Sequence, residues 1–276
     1  MNGSLGIFAL LQDGRGLTTQ GLTFFAVLIR VGVLFSLLPF FSERNLPVLA
    51  RVLLGLSVTV CLYPTLVQLG WIQPEASEVW GSTVWGLVST VTKEVFLGLV
   101  LGFLSKLFFE AIQAAGEVMG TLMGFATASQ FDPQTESQTQ VLTRLQLALA
   151  TLLFIAMDGH HLLLTAVMES FRYVGIGGVR FEGTTVESMI RLSGELLKTS
   201  LELSAPMILA MSLVFCTYAV FARALPQVNL LVLSMSMSAS IGLVVMLLGA
   251  PHFQSAVSDL LGRMGHELGD FLRRLG

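Results

Sequence analysis

The chain has 276 residues, of which 54% are hydrophobic and only 12% are Asp, Glu, Lys or Arg, with a formal net charge of −3; its mean hydropathy is +0.78. A soluble domain carries roughly 25% charged residues, so this length supplies a large core but too little polar surface to coat it with water. The acidic balance and the lack of any Lys or Arg run argue against a phosphate-binding patch, and no nucleic-acid partner is expected.

Runs of about 20 apolar residues suit a bilayer-spanning helix. Six are predicted, over residues 21–41, 47–69, 82–110, 141–166, 203–223 and 228–250. The expected fold class is all-α: a polytopic helical membrane protein with kinked helices and hairpins, forming one membrane domain over residues 1–276. Residues 1–20 carry Asp13 and Arg15 but no basic leader, and no small-residue cleavage site follows the first run, which is expected to stay as an anchor. That run contains Arg30 and ends at Pro39-Phe40-Phe41. A brief turn, Ser42 to Pro47, leads into the second run, with Pro47 suited to the first helical turn, so the two helices should be antiparallel neighbours. The link 70–80 holds Glu75 and Glu78 without a Lys or Arg.

The third run is too long for a simple crossing and carries Lys93 and Glu94, which suits a tilted, kinked or protein-buried helix. Gly98 and Gly102 form a small pair four residues apart within it. Next comes an apolar, small-residue stretch in which Gly116, Gly120 and Gly124 recur every fourth residue. On a helix these would line one face and admit a close neighbour. The pattern then breaks into Phe125, Ala126, Thr127, Ala128, Ser129, Gln130 and Phe131 before Asp132 and Pro133, an N-cap and first-turn pair that starts a new helix. An ordinary connecting loop would be polar and at the surface; this one is apolar.

The helix after Pro133 is expected to run through Arg144 to Met157, with a break at Asp158-Gly159 before His160 and His161. Residues 175–202 are the most polar part, with a turn at Gly175-Ile176-Gly177-Gly178 and a capping box at Thr184 and Glu187 opening an amphipathic helix. Pro206 lies just inside the fifth run, and Arg223 to Asn229 turns the chain into the sixth. In the tail, 252–276, apolar residues at three- and four-residue spacing predict an amphipathic helix lying on a membrane or a partner. Charge does not fix orientation: an even number of crossings with the Arg-bearing tail inside puts Arg44 and Arg51 outside.

Arg30 within a span costs about 2.5–3.5 kcal/mol on insertion scales. An interhelical pair or a contact with a backbone carbonyl is its expected role. Lys93 and Glu94 point to different sides of a helix and are expected to meet neighbouring subunits or polar helix ends. Glu117 and Arg144 complete the intramembrane charges assigned to structure or subunit contact. Asp158, His160 and His161 read as a turn, since adjacent histidines diverge on a helix and no H-E-x-x-H or Cys cluster accompanies them. Cys61 and Cys216 lie in separate apolar runs and read as small buried hydrophobes. No catalytic residue, metal or cofactor is expected, and no G-x-S-x-G occurs.

Several pieces together, in order and spacing, resemble the FliR/SctT family of type III export-gate membrane subunits, over nearly the whole chain. They are Arg30 followed by Pro39 to Pro47 and Arg51; Gly116-Glu117 through Met123-Gly124 to Asp132-Pro133; Val141-Leu142 and Arg144; Asp158-Gly159-His160, where the family usually has Asn; and Leu225-Pro226-Gln227. The resemblance implies a non-enzymatic subunit that joins FliP and FliQ subunits in a helical, pore-forming assembly of the bacterial inner membrane and flagellar basal body. FlhB contacts that assembly, and unfolded flagellar proteins pass through it. It also implies that the segment 116–131 plugs the closed pore, with Met119, Met123, Gly124, Phe125, Ala126, Thr127, Ala128, Ser129, Gln130 and Phe131 as the plug and Gly98, Gly102, Gly116, Gly120, Asp132 and Pro133 as packing or hinge positions. Faces meant for partners or membrane lipid would then be bare in an isolated chain. Tight helix packing alone also accounts for the glycines. A virulence-type injectisome gate and a secondary transporter around Arg30, Lys93 and Glu94 are the other readings, although no internal repeat supports the latter.

Overall fold

Hydrocarbon offers no hydrogen bonds, so a spanning segment must satisfy its own backbone, and a helix does so within one stretch of chain. In the computed structural model, which describes residues 14–38, 47–125, 138–179, 183–224 and 230–275, every described regular element is helical. They are α1 (Gly14–Leu37), α2 (Val48–Gln68), a 3₁₀ turn (Pro74–Ala76), α3 (Ser77–Gly81), α4 (Val84–Leu122), α5 (Gln138–Ala156), α6 (Gly159–Tyr173), α7 (Gly183–Ala224), α8 (Leu230–Leu248) and α9 (Ala250–Leu275). Among the described residues, four helical stretches are long and apolar enough to cross a membrane: Thr18–Leu37, Val48–Gln68, Val84–Leu122 and Ile190–Ala224. Two broken pairs, α5 with α6 and α8 with α9, raise the number to six if each pair makes one span.

The chain divides into two compact units. The first comprises residues 1–106, 161–189 and 264–276. Here α1 and α2 run antiparallel: the Tyr63 hydroxyl donates to the Gln20 carbonyl at 3.3 Å, and the Phe24 and Tyr63 rings meet edge-on at 5.6 Å. At the other end of the pair, a Cβ on Gly55 would lie 3.6 Å from the Gly32 Cα. Against α1 also packs the bare face of α4. A Cβ at Gly98 would lie 2.8 Å from both the Arg30 carbonyl oxygen and the Val33 Cβ, and one at Gly102 would lie 2.7 Å from the Leu37 Cδ1.

The second unit comprises residues 107–160 and 190–263. Its aromatic centre is Phe108, Phe109 and Phe154, with the Phe109 and Phe154 centroids 5.3 Å apart. The break between α5 and α6 falls at Met157-Asp158, where Asp158 takes a left-handed φ of 57°. Gly159 follows against the Phe154 ring, where a Cβ would collide with it.

Four expectations are corrected. The third run does not stop near residue 110: α4 continues for 39 residues, carrying Gly116 and Gly120 inside it, because nothing in that stretch breaks a helix. The amphipathic stretch and the fifth run are one 42-residue helix, α7, which begins at Gly183 and keeps Pro206 in its interior. The tail is helical, but Val257, Leu261, Met264, Leu268, Phe271 and Leu272 are buried within the protein itself, so its apolar stripe is not left for a membrane or partner. Cys61 and Cys216 are free and exposed, because they sit on the outward faces of α2 and α7. Those two candidate spans are each 11% buried, against 61% for α4.

The glycine contacts make a graded prediction. Gly98→Ala forces α1 away from α4 and should destabilise the protein by about 1–3 kcal/mol, the usual cost of overpacking. Gly21→Ala, where a Cβ would meet nothing within 4 Å, should instead be neutral or stabilise by about 0.5–1 kcal/mol through helix propensity. Thermal unfolding of the two variants in detergent should place Gly21→Ala at or above the parent chain and Gly98→Ala below it.

Candidate functional site

The polar centre of the first unit is built from α1, α4 and α6. Arg30 and Glu94 are both 0% exposed. The Arg30 Nε donates to Glu94 Oε2 at 2.7 Å and Nη2 donates to Oε1 at 3.0 Å, a two-pronged pairing that fixes geometry as well as charge. Nη1 donates to the Ser170 hydroxyl at 3.0 Å and to the Val174 carbonyl at 3.1 Å. The Ser170 hydroxyl donates in turn to the Val167 carbonyl at 2.6 Å. The guanidinium lies 3.9 Å from the centroid of the Phe171 ring, whose electron-rich face favours a cation.

The turn that follows α6 is reached through its backbone alone. After α6 the chain turns at Gly175–Gly178, closed by the Gly178 N–H donating to the Gly175 carbonyl at 3.0 Å. Gly177 has a φ of 69°, a left-handed conformation that costs a glycine little. This turn aims both of its backbone polar groups at α4. The Gly177 N–H donates to Glu94 Oε1 at 2.9 Å, and the Lys93 ammonium donates to the Gly177 carbonyl at 2.9 Å. Lys93 and Glu94 thus converge on one residue despite adjoining one another on the helix. Thr90, Glu94, Gly98 and Gly102, each four apart, share the face of α4 that receives this turn and α1.

In the second unit, the last turns of α4 pack on α5 and α8. A Cβ on Gly116 would lie 2.5 Å from Gln146 Oε1 and 3.1 Å from the Thr143 Cα, so α5 rests on bare backbone there. The buried Gln146 donates through Nε2 to the Met119 sulfur at 2.9 Å, while its Oε1 has no hydrogen-bond partner. Met123 is fully buried and occupies the space left by Gly242 of α8, where a Cβ would collide with its Cγ. The helix then stops. Gly124 takes a φ of 86° and its N–H donates to the Thr121 carbonyl at 3.1 Å, a left-handed ending. Phe125 is half-buried. Ala126, Thr127, Ala128, Ser129, Gln130, Phe131, Asp132 and Pro133 lie outside the described residues.

Glu117 is exposed and accepts from Gln113 Nε2 at 3.3 Å, and Arg144 is exposed on α5. Sequence reasoning missed Ser170, Phe171, Val174, Gln146 and Gly242. The Gly175–Gly178 cluster was readable as a turn, but nothing in its pattern marked it as the partner of Lys93 and Glu94.

These features define a class: an all-α polytopic membrane protein with a sealed ion-pair network in one unit and a long helix ending among apolar side chains in the other. The family follows from comparison. The chain belongs to the bacterial export proteins, family 1, whose model matches residues 22–264. It is 25% identical over 252 residues to the flagellar biosynthetic protein FliR of Escherichia coli (strain K12), covering 91% of this chain and 93% of that protein. It is 26% identical over 231 residues to FliR of Bacillus subtilis (strain 168), with 81% and 84% covered. The Yop proteins translocation protein T of Yersinia pestis is 26% identical over 245 residues, with 87% and 90% covered.

Removing one partner of a buried ion pair leaves the other uncompensated, at about 3–5 kcal/mol. Arg30→Met and Glu94→Gln should each reduce the folded, membrane-inserted fraction severely, and the double variant should lose much less than the sum. A double-mutant cycle on unfolding midpoints measures that coupling; strict additivity would mean that the two side chains act independently.

Proposed function

We propose that the chain is a structural, non-enzymatic subunit of the flagellar type III protein export gate. Together with FliP and FliQ subunits, and contacted by FlhB, it builds the channel through which unfolded flagellar proteins cross the bacterial inner membrane in the basal body. The segment 116–131 seals that channel when no substrate is in transit. The observation that carries the reading is the family match with two flagellar relatives over more than four-fifths of the chain. Two features of the fold support it. Exposed apolar side chains line α2, from Val48 to Val60, and α7, from Leu209 to Phe221, as a subunit surrounded by lipid and partner helices requires. The end of α4 has the makings of a yielding seal. Met119 and Met123 are soft, polarizable and adaptable in packing, and Gly124 releases the chain from its helix at a residue that tolerates other backbone conformations.

A closed pore must exclude ions, so the seal must be apolar and must leave no wet path. Deleting Met123–Phe131 should leave an assembled complex that leaks ions, read as membrane depolarisation or altered salt tolerance in cells. Gly242→Val is a gentler test, because a side chain there would collide with Met123 and displace it. It should raise ion leak several-fold while the complex still assembles. A tight membrane with either variant in a fully assembled complex would overturn the sealing role. A chain that purifies as a monomer from its native membrane would overturn the subunit role.

A virulence injectisome gate is the second reading, favoured by the similarity to the Yersinia translocation protein over 90% of its length. Deleting the gene in its host separates the two: loss of flagella supports the first, and loss of effector secretion with flagella intact supports the second.

A further inference from the structure

We propose that the link between α2 and α4, residues 69–85, lies in the lipid headgroup layer and sets the depth at which the first unit rides in the bilayer. The chain has three tryptophans, Trp71, Trp80 and Trp85, and all of them fall in this stretch. Its 19 phenylalanines are distributed the opposite way, with none between Phe41 and Phe96. A subunit interface takes either ring. The boundary between hydrocarbon and water separates them, because an indole has an apolar body to bury and an N–H that needs a partner, whereas a phenyl ring has only the body.

The fold presents these rings from a fixed base. α2 ends at Gln68, and the Trp71 N–H donates to the Leu66 carbonyl at 3.1 Å. The 3₁₀ turn and α3 then pack on α1. The buried Ser77 hydroxyl lies 2.6 Å from the Pro74 carbonyl oxygen and 3.2 Å from that of Thr19. A Cβ on Gly81 would lie 2.7 Å from the Leu22 Cδ1, and one on Gly86 would collide with the Trp80 carbonyl. The chain therefore folds back on the first turn of α4, which brings Trp80 level with Trp85. Val79 and Val84 are 80% exposed and Trp85 is 81% exposed. Trp71 is half-buried, with the Arg172 guanidinium 5.9 Å from its ring centroid.

Connectivity and composition together indicate what covers this surface. The link joins the end of one candidate span, Val48–Gln68, to the start of another, Val84–Leu122. The 21 residues of α2 rise about 31 Å at about 1.5 Å each, against a hydrocarbon layer of about 30 Å. The chain thus leaves that layer where its tryptophans begin. Glu75, Glu78, Ser82 and Thr83 are exposed among the apolar side chains. The covered centre of a protein interface is depleted of charge, whereas a headgroup layer accepts carboxylates, hydroxyls and indoles side by side. A depth for the ion pair follows. Glu94 stands ten residues beyond Val84, a rise of about 15 Å, which puts Arg30 and Glu94 near the middle of the layer. None of this depends on whether the 116–131 segment seals a pore.

Because no tryptophan lies elsewhere, the intrinsic emission of the chain in phosphatidylcholine vesicles reads this segment alone. Phosphatidylcholine brominated at the upper acyl carbons should quench it about two-fold more strongly than the same lipid brominated near the chain ends. In the assembled membrane complex, a benzophenone amino acid in place of Trp85 should give a lipid adduct on irradiation; the position is exposed, so folding is not at stake. Stronger quenching by the deep bromines would put the link inside hydrocarbon. Quenching by acrylamide from the water, with none by either bromolipid, would put it outside the bilayer. A crosslink to a partner subunit would make it a protein interface. Each of these three results overturns the proposal.

Discussion

The constraint on which the first unit depends is that a guanidinium placed in the middle of an apolar helix must find every partner it needs inside the protein. Arg30 has no route to water and no side-chain neighbour on its own helix that could serve it. Its requirement is met by a carboxylate 64 residues away, a serine hydroxyl 140 residues away and a carbonyl 144 residues away. Three helices are thereby brought to one point. The approach that allows this is steric before it is electrostatic: Gly98 and Gly102 remove the side chains that would hold α1 and α4 apart, and only then can Glu94 meet Arg30 at hydrogen-bonding distance. A buried pair of this kind is a poor source of net stability, because desolvation offsets much of the attraction. Its effect is on specificity: any register of α1 against α4 other than the observed one would strand a charge in a medium that cannot solvate it.

The second unit follows a different rule. At the end of α4 the close approaches are between glycine and sulfur-bearing or amide side chains: Gly116 beneath Gln146, and Gly242 beneath Met123. Gln146 is incompletely satisfied, giving one weak hydrogen bond to sulfur and receiving none. Contacts made by thioethers and a half-used amide hold position without the directional grip of the Arg30 network. The unit containing the ion pair is locked by charge, whereas the end of α4 is held by shape.

The division between what the residues foretold and what they concealed has a physical basis. Length and apolarity of local runs are read directly from sequence, so the helical class, the break at Asp158-Gly159 and the small-residue face of α4 were all legible. Helix ends were less so. Glycine and proline are weak punctuation when tertiary packing supports the backbone, and α4 and α7 ran through Gly116, Gly120 and Pro206. Burial was legible for periodic stripes, but not its partner: the stripe of α9 faces the protein's own interior. Arg30 announced itself as a costly residue, yet the identity of its partners depends on folding at long sequence separation, which no local pattern encodes. The exposed cysteines show the converse, since an apolar neighbourhood in sequence does not imply an inward face.

The turn after α6 carries a consequence for how this protein can change over time. Glu94 and Lys93 grasp the amide and the carbonyl of Gly177, atoms that every residue possesses, so the identities of Val174 and Ile176 matter little to that grip. What matters is the count of residues between Phe171, under the guanidinium, and Gly177. Ile176 should therefore drift freely in spelling while Gly177, held at a left-handed φ, stays glycine and the segment refuses any insertion or deletion, since a shift of one position would rotate the clasped peptide away from both of its holders.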